Sequence, residues 1–224
     1  MPTGQATKLE FMGEIIRVDP VMGDAVLTTF TAPEWAVAAS RPGQFVQILS
    51  REQFATDPLL RRPYSVYRVD PVASTMTVLV RPYGRGSSWL CGREPGTTLD
   101  VMGPLGTPFT VRPKTHNLLM VAGGVGAAPL LMLAEDAVRA GRQVTYLMGA
   151  LNADGLLPAS ELPEEVEYVV ATIDGSKGHT GFVTDLVPEY LIWADQVFSC
   201  GPEPMFRSLR DVVHRNRLGD RPDV

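Results

Sequence analysis

Apolar and polar residues alternate in short runs through the first half of the chain. From Lys8 to about Val111 the alternation has the two-residue period of half-buried strands. Turn-forming pairs interrupt it, and these are Asp19-Pro20, Met22-Gly23, Pro42-Gly43, Asp70-Pro71 and Pro95-Gly96. The predicted strands are residues 8–18, 24–32, 44–50, 64–70, 75–83 and 97–103. Six strands with a single helix among them, at 87–91, predict a small closed antiparallel barrel.

After residue 112 the pattern changes to strands that alternate with helices. Residues 117–122 form an almost continuous apolar run, which is typical of a strand buried on both faces. Pro129 and Gly141 mark the start and end of the helix that follows. Further strands are predicted at 143–149, 167–173 and 196–201, with helices at 182–190 and 204–215. The chain therefore divides into a β domain at 1–112 and a doubly wound parallel α/β domain at 113–224.

Composition removes several classes of function. The formal net charge is -5 and no basic run is long enough for a nucleic-acid surface, so we expect no nucleic-acid partner. No signal-peptide pattern begins the chain and no apolar run reaches membrane-spanning length, which predicts a cytoplasmic protein without membrane contact. The two cysteines, Cys91 and Cys200, have neither disulfide nor metal-ligand spacing.

A glycine-rich turn lies between the first strand and the first helix of the α/β half. Such a turn lets a pyrophosphate approach the backbone and the helix N-terminus. A tight strand-to-helix turn also needs small residues without any ligand, and Pro129 replaces the third glycine of the dinucleotide fingerprint. Asp154, after the next strand, is a candidate for ribose hydroxyls or a solvated loop residue. The candidate nucleotide residues of the turn are Gly123, Gly124, Gly126 and Ala127.

Cys200 ends a predicted strand just before Gly201. With strand order 3-2-1-4, this strand lies beside the glycine turn, and Cys200 faces a bound nucleotide. A buried, inert thiol is the alternative, because free cysteines are commonly core residues.

Two segments of the barrel half have the chemistry of a flavin site. A flavin dinucleotide needs a cation for phosphate, an aromatic ring edge and polar atoms for the ring system. An exposed arginine pair and a helix-capping serine are the alternatives. The candidate flavin residues are Arg62, Pro63, Tyr64, Ser65, Gly84, Gly86, Ser87 and Ser88.

These segments, in order, resemble the ferredoxin-reductase-type FAD/NAD flavoproteins, and most closely the electron-transfer subunits of NAD-dependent dihydroorotate dehydrogenase. The likeness extends over six stretches: 62–65, 84–88, 103–109, 123–129, 171–184 and 200–205. It implies a FAD-binding barrel, an NAD-binding α/β domain and electron transfer from NADH to an FMN-containing dihydroorotate dehydrogenase catalytic subunit in pyrimidine biosynthesis. Cys200 and Gly201 are then expected near the nicotinamide, with Cys200 in a catalytic role.

The family pattern also includes closely spaced cysteines that ligate a [2Fe-2S] cluster. Cys91 and Cys200 are too few for a cluster of about four thiolates, so we expect none in this chain. This leaves two other hypotheses open: a stand-alone NADH-dependent flavin or quinone reductase, and a non-catalytic regulatory module that retains the fold.

Overall fold

The computed structural model describes residues 9–52 and 55–217. Its first half is a closed antiparallel barrel in the order β1-β2-β5-β4-β3-β6, which confirms the predicted architecture. The strands are β1 (Glu10–Met22), β2 (Ala25–Thr31), β3 (Phe45–Ile48), β4 (Arg62–Asp70), β5 (Thr75–Val80) and β6 (Thr98–Leu105).

Two sequence predictions for the barrel were wrong. The predicted turn at Asp19-Pro20 lies inside β1, whose partner β6 pairs only with residues 10–14. Residues 17–22 therefore have one ladder partner, β2, and a proline is tolerated on such an open side. The described part of the barrel half contains two helices instead of one: α1 (Glu34–Ala39) and α2 (Arg85–Cys91). Six residues are too few for α1 to show a helical period in the sequence.

The second half is a parallel sheet in the order β10-β9-β8-β7-β11. Its strands are β7 (Asn117–Gly123), β8 (Gln143–Ala150), β9 (Glu167–Thr172), β10 (His179–Thr180) and β11 (Gln196–Cys200), and its helices are α3 (Ala128–Arg139), α4 (Val187–Leu191) and α5 (Glu203–Arg217). The order β9-β8-β7-β11 is the 3-2-1-4 order expected from the sequence. The predicted helix at 182–190 is divided into a 3-10 turn at Val183–Asp185 and the short α4, because Pro188 lies in the first turn of a new helix.

The two halves pack through a shared apolar core. Met22, Leu27 and Leu79 of the barrel belong to the same buried cluster as Leu118 and Leu130 of the α/β half. Polar contacts border this core: the Tyr67 hydroxyl donates to Glu161 at 2.8 Å, and Arg68 lies 2.7 Å from Glu135. At the tip of the β1–β2 hairpin, the Gly23 N–H donates to the Asp154 carbonyl at 2.6 Å. The barrel and the sheet therefore form the two fixed walls of one cleft.

The predicted domain boundary at 112/113 lies in the segment that joins β6 to β7. Within that segment the Phe109 N–H donates to the barrel carbonyl of Pro42, and the Arg112 N–H donates to Gln196 of β11. The backbone of this segment is therefore hydrogen-bonded to the barrel half at residue 109 and to the sheet at residue 112. None of the described helices combines the length and the apolar character that a membrane crossing needs.

Candidate flavin and nucleotide site

A cleft of about 840 Å³ separates the barrel from the carboxyl edge of the parallel sheet. Its volume is in the range of small-molecule and cofactor sites. The barrel contributes residues 22–25, Ser65 and Arg81, and the sheet contributes the glycine turn and the end of β11. The carboxyl ends of parallel strands at a change of strand order are where α/β proteins bind ligands.

The glycine turn after β7 is shaped partly by packing and partly by backbone conformation. A Cβ on Gly126 would lie 2.2 Å from the carbonyl oxygen of Cys200, so this position admits only glycine. Gly124 has φ +55° with open space around it, which leaves its backbone accessible from the cleft. Gly123 and Gly201 also line the cleft, whereas Ala127 is fully buried behind the turn. Packing alone accounts for glycine at Gly126, and the accessible backbone of Gly124 is compatible with the nucleotide interpretation, which stays a prediction.

Cys200 lines the cleft at the carboxyl end of β11, as its position in the sheet predicts. It pairs with Ala122 across β7 and β11, is half-buried, and lines the cleft beside Gly201. Burial raises the pKa of the thiol, and the hydrogen bond to the Gly201 backbone opposes that shift. The side chain is therefore a neutral thiol at pH 7, a compact and weakly polar group beside any ring bound there.

The arginine-serine segment at the start of β4 presents its side chains to two sides. Ser65 faces the cleft, together with Cys200. Tyr64 is buried in the barrel core, where its hydroxyl is 3.2 Å from Ser50 and burial raises its pKa. Pro63 is exposed. Successive side chains of β4 point to opposite faces of the barrel wall, so Tyr64 lies in the core while Ser65 lines the cleft.

Arg62 links the β4 segment to the second predicted flavin segment, residues 84–88. A Cβ on Gly86 would lie 3.0 Å from Cγ of Arg62, so glycine lets the arginine pack closely on the start of α2. Nη1 of Arg62 donates to the Leu60 carbonyl at 2.9 Å, and the described residues provide no partner for its Nε and Nη2. The guanidinium is therefore fixed on one side and has donors left for an anion.

The residues around Gly86 differ in what they offer a ligand. The Ser87 hydroxyl accepts hydrogen bonds from the backbone of Tyr83 and Gly84 at 2.9 and 3.0 Å, so it stabilises the turn itself. Gly84 and Ser88 are exposed, and a Cβ on Gly84 would meet nothing within 4 Å. This open, glycine-containing turn beside a fixed arginine fits a phosphate group of a dinucleotide.

On the barrel side of the cleft, sequence reasoning found Ser65 but missed residues 22–25 and Arg81. Arg81, just after β5, lines the cleft and forms an ion pair with Asp24 at 2.7 Å. A single arginine after a strand matches no sequence motif, so only the fold shows that Arg81 lines the cleft. Asp154 also lines the cleft, whereas His179 lies 3.7 Å from Asp185 with its side chain 41% exposed.

Comparison with known proteins agrees with this arrangement. The oxidoreductase NAD-binding domain family matches residues 120–211. The dihydroorotate dehydrogenase B (NAD(+)) electron transfer subunit of Geobacillus sp. (strain WCH70) is 40% identical over 76% of this chain and 66% of its own length. Its counterpart in Geobacillus kaustophilus (strain HTA426) is 36% identical over 81% of this chain and 69% of its own length. The chain belongs to the family of dihydroorotate dehydrogenase B electron transfer subunits.

Solved structures give the same fold. The NADH-dependent reduced ferredoxin-NADP oxidoreductase structure is 28% identical, with a TM-score of 0.79 over 95% of this chain and 74% of its own. The ferredoxin reductase of carbazole 1,9a-dioxygenase matches in fold with the same TM-score, at 24% identity over 95% of this chain and 67% of its own. As a member of the dihydroorotate dehydrogenase B electron transfer subunit family, the chain is an NAD(P)H-dependent flavoprotein oxidoreductase whose cofactors are FAD and NAD(H).

The likeness to the Geobacillus sp. relative extends over about two thirds of that protein's length. Within residues 9–52 and 55–217, no three His, Cys, Asp or Glu side chains lie close enough together to hold a metal ion.

Proposed function

We propose that this chain transfers electrons from NADH, through FAD, to an FMN-containing catalytic subunit of dihydroorotate dehydrogenase in the cytoplasm. The observation that carries the proposal is a single cleft that holds Ser65 of the flavin segment, the glycine turn and Cys200. A dinucleotide held on the sheet side and a flavin held on the barrel side would share this one cleft. Family membership supports the electron-transfer chemistry, and the names of the relatives support the partner.

The side chains of the chain have separate tasks in this proposal. FAD, when bound, supplies a two-electron acceptor that releases electrons singly. Arg62 and the open turn at 84–88 hold its phosphates, while Ser65 provides a hydrogen-bonding hydroxyl at the ring side of the cleft. Gly123, Gly124, Gly126 and Gly201 let the nicotinamide nucleotide approach the backbone of the sheet edge.

Cys200 has a positioning task beside the nicotinamide. Its neutral thiol lines the cleft without adding charge, and holding two reactants in contact is the main contribution a protein makes to such a transfer. Hydride transfer needs no protein base at that step, which is consistent with an exposed His179 outside the residues that line the cleft.

The flavin assignment is tested by the FAD content of two neighbouring arginine variants. Arg62→Ala removes the guanidinium beside Gly86, and we expect the purified variant to retain less than about a tenth of the wild-type FAD, a loss of about 1.4 kcal/mol or more in binding. Arg61→Ala is the matched control, because Arg61 is bonded to Asp100 and Glu10 on the outside of the barrel. Equal FAD content in both variants would contradict the role of Arg62.

The acceptor is tested by mixing the reduced protein with purified FMN-containing catalytic subunit from a relative. We expect the subunit's FMN to be reduced at least tenfold faster than free FMN or a soluble quinone at equal concentration. Faster reduction of the free acceptors would instead identify a stand-alone reductase. An FAD-bound chain that NADH does not reduce would identify the non-catalytic module.

A further inference from the structure

Two buried hydroxyl groups lie behind the open turn at 84–88. Ser50, which follows β3, has no exposed surface, and its Oγ is 3.2 Å from the hydroxyl oxygen of Tyr64, a residue that is 8% exposed. Hydroxyl groups are costly to bury, and their hydrogen bonds recover little more than that cost. An apolar pair of the same shape would serve the core equally well, so the two hydroxyls call for a role beyond packing.

The hydrogen bonds of this pair connect β4 to the end of β3. The Ser50 hydroxyl donates to the Ile48 carbonyl at 3.4 Å, and its oxygen is then free to accept the O–H of Tyr64. Burial raises the pKa of Tyr64 more than the hydrogen bond to Ser50 lowers it, so the phenol is a protonated donor at neutral pH. Ile48 is the cross-strand partner of Arg62. A fully bonded buried network of this kind holds one arrangement of its side chains.

Gly86 is where the hydroxyl pair meets the proposed phosphate-binding arginine. A Cβ on Gly86 would lie 3.4 Å from Cβ of Ser50, 3.0 Å from Cγ of Arg62 and 3.5 Å from its Nε. Ser50 and Arg62 therefore form the wall against which the start of α2 packs. A displacement of Ser50 changes the distance between the arginine and the turn, because all three groups are in contact.

From these contacts we propose that Ser50 is a positioning residue of the flavin site, which acts through its hydrogen bond with Tyr64 to hold Arg62 against the turn at Gly86. The pair fixes the spacing of the guanidinium and the open turn before a phosphate group binds. A site that is already in its binding geometry loses less conformational entropy when the ligand arrives, so it binds more tightly. This rests on the proposed function, since it takes Arg62 and the turn as the groups that hold the FAD phosphates.

The test is a set of double-mutant cycles on the Kd for FAD, measured by titrating the flavin-free full chain with FAD and following the quenching of flavin fluorescence. We expect Ser50→Ala to raise this Kd about threefold to tenfold, the range of one buried hydrogen bond. In Tyr64→Phe, and equally in Arg62→Ala, the same substitution should change the Kd by less than about 1.5-fold, because the residue through which Ser50 acts is already lost. An unchanged Kd in Ser50→Ala, or an equal rise in all three backgrounds, would overturn the proposal.

A second buried serine provides the control for a general loss of stability. Ser40 is 2% exposed, and its hydroxyl donates to the Ala36 carbonyl of α1 at 2.8 Å. Among the described residues, no hydrogen bond joins its side chain to residues 62–65 or 84–88. We expect Ser40→Ala to lower the free energy of unfolding of the flavin-free protein, measured in urea, and to leave the Kd for FAD unchanged. An equal rise of the Kd in Ser40→Ala and Ser50→Ala would overturn the positioning role, because lost stability alone would then explain both.

The same titrations separate this inference from the proposed function. A wild-type protein that binds FAD but is not reduced by NADH would contradict the proposed function, whereas the role of Ser50 depends only on the Kd values for FAD.

Discussion

Gly126 and Gly84 show how differently two glycines of the proposed site are constrained. Gly126 sits against the Cys200 carbonyl, and an added Cβ would meet backbone at 2.2 Å. We expect Gly126→Ala to lower the free energy of unfolding by about 1–3 kcal/mol, because backbone yields less readily than a side chain. Gly84→Ala is the control: φ is -146° and nothing lies within 4 Å, so stability should stay within about 0.5 kcal/mol. Chemical denaturation of the two variants measures both values, and equal losses would contradict this packing account.

Cys200 is expected to act through its position and not through ionisation. Cys200→Ala should slow reduction of bound FAD by NADH several-fold while FAD content stays unchanged, because the end of the cleft loses a packing group. Since burial raises the pKa of the thiol, wild-type alkylation at pH 7 should be slower than for a free cysteine and should accelerate at alkaline pH. An unaltered reduction rate in Cys200→Ala would return the residue to an inert role.

At the level of elements, Asp195 joins the start of β7 to the start of β11. Its carboxylate accepts hydrogen bonds from the backbone N–H groups of Asn117 and His116, both at 2.9 Å, and these bonds lower its pKa. A carboxyl whose pKa is lower in the folded protein stabilises it above the unfolded value, near 4, and loses that contribution as the pH falls through the lower value.

We therefore expect Asp195→Ala to reduce the free energy of unfolding by about 1 kcal/mol at pH 7, with a difference from wild type that shrinks below about pH 4. Urea titrations at pH 7, 4 and 3 measure this. Asp211 in α5 is exposed and, among the described residues, its carboxylate pairs with the neighbouring Arg210, so Asp211→Ala is the control and should cost less than about 0.5 kcal/mol at pH 7. A difference that is constant with pH would contradict the proposed cause.

Long periodic elements were predictable from the sequence, while short and packed features were not. The barrel strands and α3 follow from hydrophobic periods that extend over many residues, and the strand order around β7 from the usual topology of doubly wound sheets. The helix α1 is too short to show a period, and Pro20 inside β1 is understood only once β6 is seen to leave that part of the strand unpaired. Ser65 and Cys200 belong to sequence motifs, so the sequence named them as candidates before the cleft was seen. Arg81 and Asp24 reach the cleft through the pairing of distant segments, which no local sequence pattern predicts.

At the scale of the whole molecule, the shared core predicts that both halves unfold together. Met132 belongs to α3 of the α/β half, yet it packs in the apolar cluster of the barrel. We expect one cooperative thermal transition, with the same midpoint for far-UV circular dichroism and for the fluorescence of the barrel residues Trp35 and Trp89 in a Trp193→Phe background.

Met132→Ala should lower that common midpoint, at a cost of about 2–5 kcal/mol in the free energy of unfolding. Met12→Ala, with a side chain that is 63% exposed, is the control and should have little effect. Two separate transitions would show that the domains are independent and that the cleft walls are not fixed.

The proposed function depends on the reduction by NADH of a flavin bound in this cleft. Its most direct test is the visible spectrum of the purified protein, reconstituted with FAD where needed and titrated anaerobically with NADH. We expect oxidised flavin bands that bleach with about one equivalent of NADH, since a hydride carries the two electrons that FAD accepts. A protein that remains colourless after reconstitution, or a bound flavin that NADH leaves oxidised, would contradict the proposed function.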